Sequence, residues 1–395
     1  MASPVLPTLR RALLYVPASS PRFLAKSANL KVDNVTYDLE DSVTNDKKVE
    51  ARSALLEYLT NLPLPSPSAS FSSSSSTSPS SSTEPPPSSS PREIAVRVND
   101  VSTPWAIEDI LTFAPLPRVQ ALIIPKVNSA ADLTTVVDAI RRAAPHRLGT
   151  PTTTTAESNP NHPNPKPLAI LALIESARAI MDLREICAAH AATTTTTTPP
   201  NHLLRGLIFA AEDFALDMNL RRTEGMAEMA YARSAVVTAA RAFGLESAID
   251  VVRTAFKGGD AMEGLKRESE EGAGMGFTGK QCIHPSQVSI VQEQFSPSVR
   301  DIIKSACLVV ADEKAVALGK GSFGFSDSMV DAPVSKKAQS TLAIAQRLGV
   351  NVQQLKRDVD FEDETMPDWN RRIGIVYEQQ GLALRKTMGF DTDVN

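Results

Sequence analysis

The sequence has few cysteines, few aromatic residues and no long apolar run. Its 395 residues include only three cysteines, Cys187, Cys282 and Cys307, which are too few and too scattered for a disulfide framework or a thiolate metal site. A reduced intracellular compartment therefore fits best. No apolar run approaches the roughly 18 residues of a membrane-spanning helix. The N-terminal stretch MASPVLPTLRR has no apolar signal-peptide core, so no secretory signal is predicted.

The sequence also has few histidines and only a small net charge. The formal net charge of −4 gives no electrostatic reason to expect nucleic acid or an anionic membrane as a partner. Four of the five histidines, at positions 146, 162, 190 and 202, fall in or beside low-complexity segments. A histidine metal cluster is therefore not predicted.

Eight short apolar runs recur along the chain, and a polar turn and a helix-like segment follow each of them. They are residues 13–18, 34–41, 93–99, 121–127, 168–176, 204–213, 248–254 and 276–285. Continuous aliphatic runs are typical of parallel strands that helices cover on both faces. Eight strand–helix units in succession favour an α/β fold of the closed (β/α)₈ TIM barrel type. A doubly wound open sheet is the competing arrangement.

Three inserts rich in serine, threonine and proline interrupt this pattern, at 62–91, 149–167 and 191–202. Their composition predicts disorder. Each follows a helix and precedes the next strand, which in a barrel is the N-terminal face, opposite the active site. After about residue 296 the pattern changes to a helix, a loop or short hairpin, and a second helix. No role can be assigned to residues 351–395.

Polar side chains interrupt the apolar runs mainly near their C-terminal ends. They are Asp38, Glu40, Asp41, Arg97, Asn99, Lys126, Glu175, Glu212, Asp213 and His284. A closed barrel brings these ends to one rim. Glu175 ends the apolar stretch LAILALIES and needs a cation, which is either a basic side chain or Mg²⁺. Glu175 and Asp213 follow one another on adjacent predicted strands and could share one ion, although spacing alone slightly favours a structural ion pair.

The acidic cluster in DLED, residues 38–41, has two open interpretations. It is either solvated or paired with Arg97. His284 by itself, followed by proline, is more typical of a residue that shapes a loop than of a ligand.

Eight stretches together carry a family resemblance. They are RALLYVPASSPRFLAKSA, VTYDLEDSVTNDKKVEAR, VRVN, IIPKV, LIESARAI, IFAAEDF, GFTGKQCIHPSQVSIVQEQFSP and SMVDAPVSKKA. In this order, from about Arg11 to Leu348, they resemble the citrate lyase beta-subunit-like proteins of the HpcH/HpaI aldolase superfamily, especially the citramalyl-CoA and malyl-CoA lyase branch. The resemblance implies a TIM barrel over 11–295 after an N-terminal segment, 1–10. It also implies a C-terminal helical lid over 296–350 and assembly as a homotrimer or hexamer.

The resemblance further implies roles for individual residues. Mg²⁺ would be held by Glu175 and Asp213. Arg97 would hold the thioester or carboxylate oxygens of the substrate, and Asp331 in SMVDAP matches a lid aspartate that acts as acid and base in the site of a neighbouring subunit. The implied substrate-binding residues are Tyr15, Arg22, Lys26, Arg97, Glu175, Ile283 and His284, the first three of them at the CoA moiety.

The implied activity is Mg²⁺-dependent cleavage of a carboxylated 3-hydroxyacyl-CoA to acetyl-CoA and a 2-oxoacid, with the reverse condensation or thioester hydrolysis left open. Two alternatives remain: an aldolase on free hydroxy-oxoacids without CoA, and a non-catalytic assembly or regulatory subunit. The chain departs from the family at Ala18, Ala210 and Ala211, where glycine is common, which leaves the substrate range open. Animal relatives imply a mitochondrial location, and a cytoplasmic one is the alternative.

Overall fold

The structure is a computed structural model that describes residues 8–62, 93–148, 167–190, 203–319, 321–325, 328–360 and 368–390. The chain divides into two compact units. One consists of Arg10–Ser80 and Arg92–Gln292, and the other of Met1–Leu9, Ser81–Pro91 and Glu293–Asn395. The three inserts predicted to be disordered lie outside the described residues, apart from residues 62 and 167 at their edges.

Eight parallel strands close the first unit into a barrel, in which each strand pairs with the next and β8 pairs with β1. They are β1 (Ala12–Pro17), β2 (Asn34–Asp38), β3 (Glu93–Arg97), β4 (Ala121–Ile124), β5 (Ala169–Ile174), β6 (Leu204–Phe209), β7 (Ser247–Asp250) and β8 (Gly279–Cys282). The predicted TIM barrel is confirmed, and the open-sheet alternative is wrong.

Helices follow the strands and alternate with them. They are α1 (Pro21–Ser27), α2 (Lys48–Asn61), α3 (Ala106–Phe113), α4 (Ala130–Ala143), α5 (Ala177–Met181), α6 (Leu183–His190), α7 (Ala211–Asp217), α8 (Ala230–Ala242), α9 (Gly259–Met275) and α10 (Val288–Gln294). α4 illustrates how the sequence forms them. Ser129 and Asp132 make a capping box at its start, and Leu133, Val136 and Ile140 form its buried stripe at helical spacing.

The strands end earlier than the apolar runs predict. The clearest case is the run 204–213, where β6 ends at Phe209 and α7 begins at Ala211. Asp213 therefore lies in the first turn of a helix rather than on a strand. Ala-Glu-Asp suits a helix start, because carboxylates interact favourably with the helix dipole there. Ala210 and Ala211 continue the apolar run beyond the end of β6, so the predicted strand was too long.

A buried charge network lies between the outer face of the barrel and two helices. Asp250 on β7 pairs with Arg233 on α8 at 2.9 Å. Lys280 on β8 is the register partner of Asp250, and its side chain is fully buried. The Nζ atom of Lys280 also lies 3.2 Å from Glu268 Oε2 on α9. Oppositely charged groups that lose their water together must compensate one another. The network therefore joins β7 and β8 to both helices.

We expect Asp250→Asn to lower the free energy of unfolding by about 3 kcal/mol, because it leaves Arg233 and Lys280 buried with too little negative charge around them. Urea denaturation measures the change. Glu50→Gln is the matched control, since Glu50 belongs to an exposed pair with Lys47 and should not shift the midpoint. Equal midpoints for both variants would contradict a stabilising role of the network.

After residue 298, the described part of the second unit contains four helices and a hairpin. They are α11 (Val299–Ala317), α12 (Ala332–Arg347), α13 (Val352–Val359) and α14 (Trp369–Thr387), with β9 (Phe323–Phe325) antiparallel to β10 (Ser328–Val330). The predicted helix, hairpin and helix after residue 296 agree with this order. Buried residues of α13 and α14, such as Val359 and Val376, belong to the same hydrophobic cluster as Ile303 of α11. The division at residue 350 into lid and tail stays a prediction.

The three cysteines are buried free thiols. Burial raises the pKa of Cys282 to about 12, so its thiolate is not formed at neutral pH.

Within the part of the chain that the structure describes, no helix has both the length and the apolar character that crossing a membrane requires.

Candidate functional site

Closure of the barrel places an arginine and an aspartate side by side at the C-terminal rim. Arg97 and Asp38 are the last residues of β3 and β2 and are register partners. Arg97 Nε donates to Asp38 Oδ1 at 2.6 Å, and Nη2 donates to Oδ2 at 2.7 Å. Burial opposes the charged form of Asp38, but the Arg97 guanidinium outweighs it and lowers the pKa of this carboxyl. The DLED cluster is thus paired with Arg97, one of the two open interpretations.

Two further carboxylates share Arg97 with a lysine. Glu40 Oε2 lies 3.0 Å from Arg97 Nη1, and its Oε1 lies 2.5 Å from Lys126 Nζ. Asp41 Oδ2 lies 3.1 Å from Arg97 Nη1, and its Oδ1 lies 3.9 Å from Lys126 Nζ. Burial raises the pKa of Glu40, whereas Arg97 and Lys126 oppose the rise. Three carboxylates therefore surround two cations at this end of the barrel.

The aromatic ring of Tyr15 packs against the guanidinium of Arg97. The guanidinium carbon of Arg97 lies 4.7 Å from the centroid of the Tyr15 ring, a cation–π distance. The Tyr15 hydroxyl donates to Gln281 Oε1 at 3.0 Å, and Gln281 Nε2 donates to the carbonyls of Phe209 and Asp250 at 2.9 and 3.1 Å. Burial raises the pKa of Tyr15 above its usual range, although Arg97 lowers it. The tyrosine is therefore neutral, and its proton is committed to Gln281.

The sequence interpretation missed Gln281. The available signal was the alternation within β8, GKQC, where Lys280 joins the outer charge network and Gln281 therefore points inward. A buried amide inside a barrel must find partners for its polar atoms. Here those partners tie β8 to β1, β6 and β7.

Glu175 follows β5 directly and is buried, with 5% of its surface exposed. Its Oε1 accepts the backbone N–H of Lys126, a residue held at the left-handed φ of +50°. In the described ranges, no lysine, arginine or histidine side chain lies within ion-pair distance of Glu175; the ammonium of Lys126 pairs with Glu40 instead. The interpretation of Glu175 as a member of a structural ion pair therefore has no support.

Asp213 lies next to Glu175. Burial first, and then the charge of Asp213, raise the pKa of Glu175 to about 8. Two carboxylates that face one another without a basic partner suit a hard cation, and Mg²⁺ typically takes one or two carboxylates and completes its shell with water and substrate oxygens. The described residues include no group of three or more His, Cys, Asp or Glu side chains arranged to hold a metal. The donor pair therefore fits magnesium rather than a metal held by protein ligands alone.

The end of β8 is shaped by a glutamine. The backbone N–H groups of Ile283 and His284 donate to Gln287 Oε1 at 2.9 and 3.2 Å. The His284 ring stacks on Phe256 with centroids 4.8 Å apart, and its Nδ1 lies 2.7 Å from Ser286 Oγ. Ile283 has 41% of its surface exposed. A substrate contact by these two residues stays a prediction.

The remaining predicted residues are exposed. Arg22 and Lys26 lie one turn apart on α1, so both side chains project from one face of that helix. Asp331 belongs to the second unit and caps α12, where its Oδ1 accepts the N–H of Val334 at 3.3 Å. The contacts of Arg97 given above are made by residues of the barrel unit, and the roles of Arg22, Lys26 and Asp331 stay predictions.

The alanines that depart from the family pattern adjoin this site. Ala18 is fully buried and its N–H donates to the Asp38 carbonyl at 3.0 Å. Ala210 packs against the barrel core, and Ala211 is buried at the first position of α7. The methyl groups are accommodated without a left-handed φ at Ala210, whose φ is −102°.

The chain is similar to known proteins over most of its length. The family profile described as HpcH/HpaI aldolase/citrate lyase matches residues 11–70 and 85–285. Human mitochondrial citramalyl-CoA lyase is 33% identical over 339 residues, which are 85% of this chain and 85% of the human protein. A (3S)-malyl-CoA thioesterase of Cereibacter sphaeroides is 30% identical over 338 residues, which are 86% and 95% of the two chains.

Two solved structures from Mycobacterium tuberculosis share the fold. Protein CitE in complex with magnesium, acetoacetate and coenzyme A has a TM-score of 0.58 and 25% identity, over 87% of this chain and 99% of that one. A citrate lyase beta subunit complexed with oxaloacetate and magnesium has a TM-score of 0.50 and 26% identity, over 73% and 98%. The profile match includes Arg97, Glu175 and Asp213.

Proposed function

Because the chain belongs to the HpcH/HpaI aldolase/citrate lyase family, we propose that it is a Mg²⁺-dependent carbon–carbon lyase. Its substrate would be a carboxylated 3-hydroxyacyl-CoA of the citramalyl-CoA or malyl-CoA type, cleaved to acetyl-CoA and a 2-oxoacid. The observation that carries the proposal is the buried Glu175 beside Asp213, since among the described residues no basic side chain lies within ion-pair distance of either carboxylate. Similarity to proteins bound to magnesium, CoA and oxoacids supports it.

Glu175 and Asp213 would hold the metal. When bound, Mg²⁺ supplies positive charge that acidifies the substrate hydroxyl and stabilises the carbonyl that replaces it. Glu175 is kept in position by the backbone N–H of Lys126, and Asp213 by the first turn of α7. The Glu175 carboxylate is therefore oriented before the ion and the substrate arrive, and the backbone of Asp213 is fixed.

Arg97 would face the thioester. Cleavage leaves negative charge on the thioester oxygen as the acetyl group takes up the bonding electrons, and this charge is small in the ground state. A fixed guanidinium that meets it stabilises the transition state more than the substrate. Asp38 and the Tyr15 ring keep Arg97 fixed. Asp331 would give a proton to the acetyl carbon, from a neighbouring subunit of a homotrimer or hexamer.

Arg22 and Lys26 would bind the phosphates of CoA, for which an arginine fork and a lysine on one helix face are suitable. We expect Arg22→Ala together with Lys26→Ala to raise KM for the acyl-CoA roughly tenfold with little change in kcat, because these contacts are the same in the ground and transition states. Arg141→Ala together with Arg142→Ala, at the exposed end of α4, removes the same two positive charges elsewhere and serves as the control for net charge. An unchanged KM would favour an aldolase that does not use CoA.

The decisive assay combines purified protein, Mg²⁺ and acetyl-CoA with glyoxylate, pyruvate and oxaloacetate in turn, and follows condensation and free thiol release separately. Condensation with one oxoacid identifies the substrate, and release of free CoA thiol shows that water has hydrolysed a thioester. Absence of turnover together with absence of Mg²⁺ binding would contradict the proposal and favour a non-catalytic subunit.

We propose a mitochondrial location, since the human, rat and mouse relatives are named as mitochondrial proteins. Fluorescence microscopy of the tagged full chain in the source cells, with a mitochondrial marker, tests this. A diffuse cytoplasmic signal would contradict it.

A further inference from the structure

Most of the polar edge of Arg97 faces carboxylates. A guanidinium has five N–H groups. Nε and Nη2 each donate one N–H to Asp38, and Nη1 donates one to Asp41 at 3.1 Å and forms an ion pair with Glu40 Oε2 at 3.0 Å. Among the described residues, the second N–H of Nη2 faces no carboxylate and remains for a substrate oxygen. A substrate that needs more than one hydrogen bond from Arg97 must displace one of the three carboxylates.

The three carboxylates differ sharply in burial. The side chains of Asp38 and Glu40 are 2% and 7% exposed, whereas that of Asp41 is 56% exposed. Asp38 also accepts the N–H groups of Glu40 and Ser42 at 2.9 and 3.1 Å. An exposed ion pair contributes little to stability, because water solvates both partners well when they separate. Asp41 is therefore the carboxylate that leaves at the lowest cost.

The position of Asp41 matches that of an anionic ligand. Its two oxygens face Arg97 Nη1 and Lys126 Nζ from the solvent side, the side from which a substrate must approach. Glu40 lies between the same two cations from the buried side. An oxygen that enters from solvent and an Asp41 carboxylate that remains would compete for the same N–H and the same positive charge.

We propose that Asp41 is an internal substitute for the substrate at Arg97: its carboxylate occupies the solvent-facing N–H of Nη1 until a substrate oxygen binds there, and then moves away. This inference rests on the proposed function, since it concerns the same arginine. The ligand group is an oxygen that carries full or partial negative charge, from either the substrate carboxylate or the thioester. Asp41 thereby weakens the binding of small anions that lack the rest of the substrate.

The test measures the dissociation constants of pyruvate and of acetyl-CoA separately, in the presence of Mg²⁺, by calorimetry on the wild type and on Asp41→Asn. We expect the variant to bind one of the two probes about threefold to fivefold more tightly, because the competing charge is removed. Tighter pyruvate binding assigns the position to the carboxylate, and tighter acetyl-CoA binding assigns it to the thioester. In turnover, KM should fall by the same factor while kcat changes less than twofold, because Asp41 has already left in the reactive complex.

Two variants separate this effect from simple changes in charge or folding. Glu50→Gln removes one exposed negative charge elsewhere and should leave both dissociation constants unchanged. Asp38→Asn breaks the bidentate contact that holds Arg97 and should weaken binding and lower kcat. Unchanged or weaker binding of both probes by Asp41→Asn overturns the inference, as does binding of neither probe by either protein. Tighter probe binding in a protein without lyase turnover would support Asp41 and reject the lyase proposal.

Discussion

Replacement of Asp213 with asparagine is expected to reduce Mg²⁺-dependent turnover by a factor of about 100 or more. The amide keeps the shape of the side chain but removes one of the two proposed anionic ligands, so both the affinity for Mg²⁺ and the charge that organises the site should be lost. Calorimetric titration with Mg²⁺ and assays over a range of Mg²⁺ concentrations measure the two losses together. Wild-type turnover of this variant in the presence of a chelator would refute the metal assignment.

A neighbouring residue supplies the control for Asp213. Glu212 lies beside it on α7 but is exposed and pairs with Arg222, so Glu212→Gln should retain Mg²⁺ dependence.

The melting temperature of the metal-free proteins distinguishes a loss of metal binding from a loss of folding in Asp213→Asn. The pKa of Glu175 is raised to about 8, so the metal-free wild type loses stability as the pH rises from about 4.5 through 8. At pH 9 metal-free Asp213→Asn should therefore unfold at a higher temperature than the wild type, and a lower one would indicate structural damage.

Replacement of Asp331 with asparagine is expected to give the second large effect, a loss of about 100-fold or more in turnover in a protein that still binds Mg²⁺ and acetyl-CoA. Asparagine cannot exchange a proton at the acetyl carbon. It nevertheless accepts the Val334 N–H as well as aspartate does, because both are preferred helix N-caps. The melting temperature should thus equal that of the wild type. Wild-type turnover would remove Asp331 from the mechanism.

Asp331→Ala is the companion variant, because it removes the helix cap together with the acid. It should lose about 1 kcal/mol of stability in addition to activity. If the alanine variant is inactive and the asparagine variant is active, the cap rather than the proton is what Asp331 contributes.

Mixing two inactive variants tests the proposed assembly. If Asp331 serves the site of a neighbouring subunit, hetero-oligomers of Asp213→Asn and Asp331→Asn contain some sites in which both carboxylates are intact. Activity should then reappear after the two proteins are unfolded and refolded together. Continued inactivity of a mixture that forms hetero-oligomers would place both residues in the site of one subunit.

The barrel and its rim were predictable because the evidence for them is local. Runs such as ALIIPKV and LAILALIES show continuous burial, and eight of them in succession favour one closed fold. The same runs carry a polar residue near each C-terminal end, and the closed barrel explains why Arg97, Lys126 and Glu175 meet. The error at Asp213 was local as well, since alanines continue an apolar run and begin a helix equally well.

The partners of these residues were decided only by the tertiary structure. Arg97 and Asp38 are 59 positions apart, Lys126 and Glu40 are 86 apart, and Tyr15 and Gln281 are 266 apart. No sequence pattern connects positions so distant, because pairing of neighbouring strands brings β2 beside β3 and closure of the barrel brings β1 beside β8. The amino-acid order alone determined the strands, their burial and the rim at which polar groups collect. Packing decided which carboxylate pairs with a basic side chain, which has none within ion-pair distance among the described residues, and which stays exposed beside Arg97, since distance and burial set the energy of every charge.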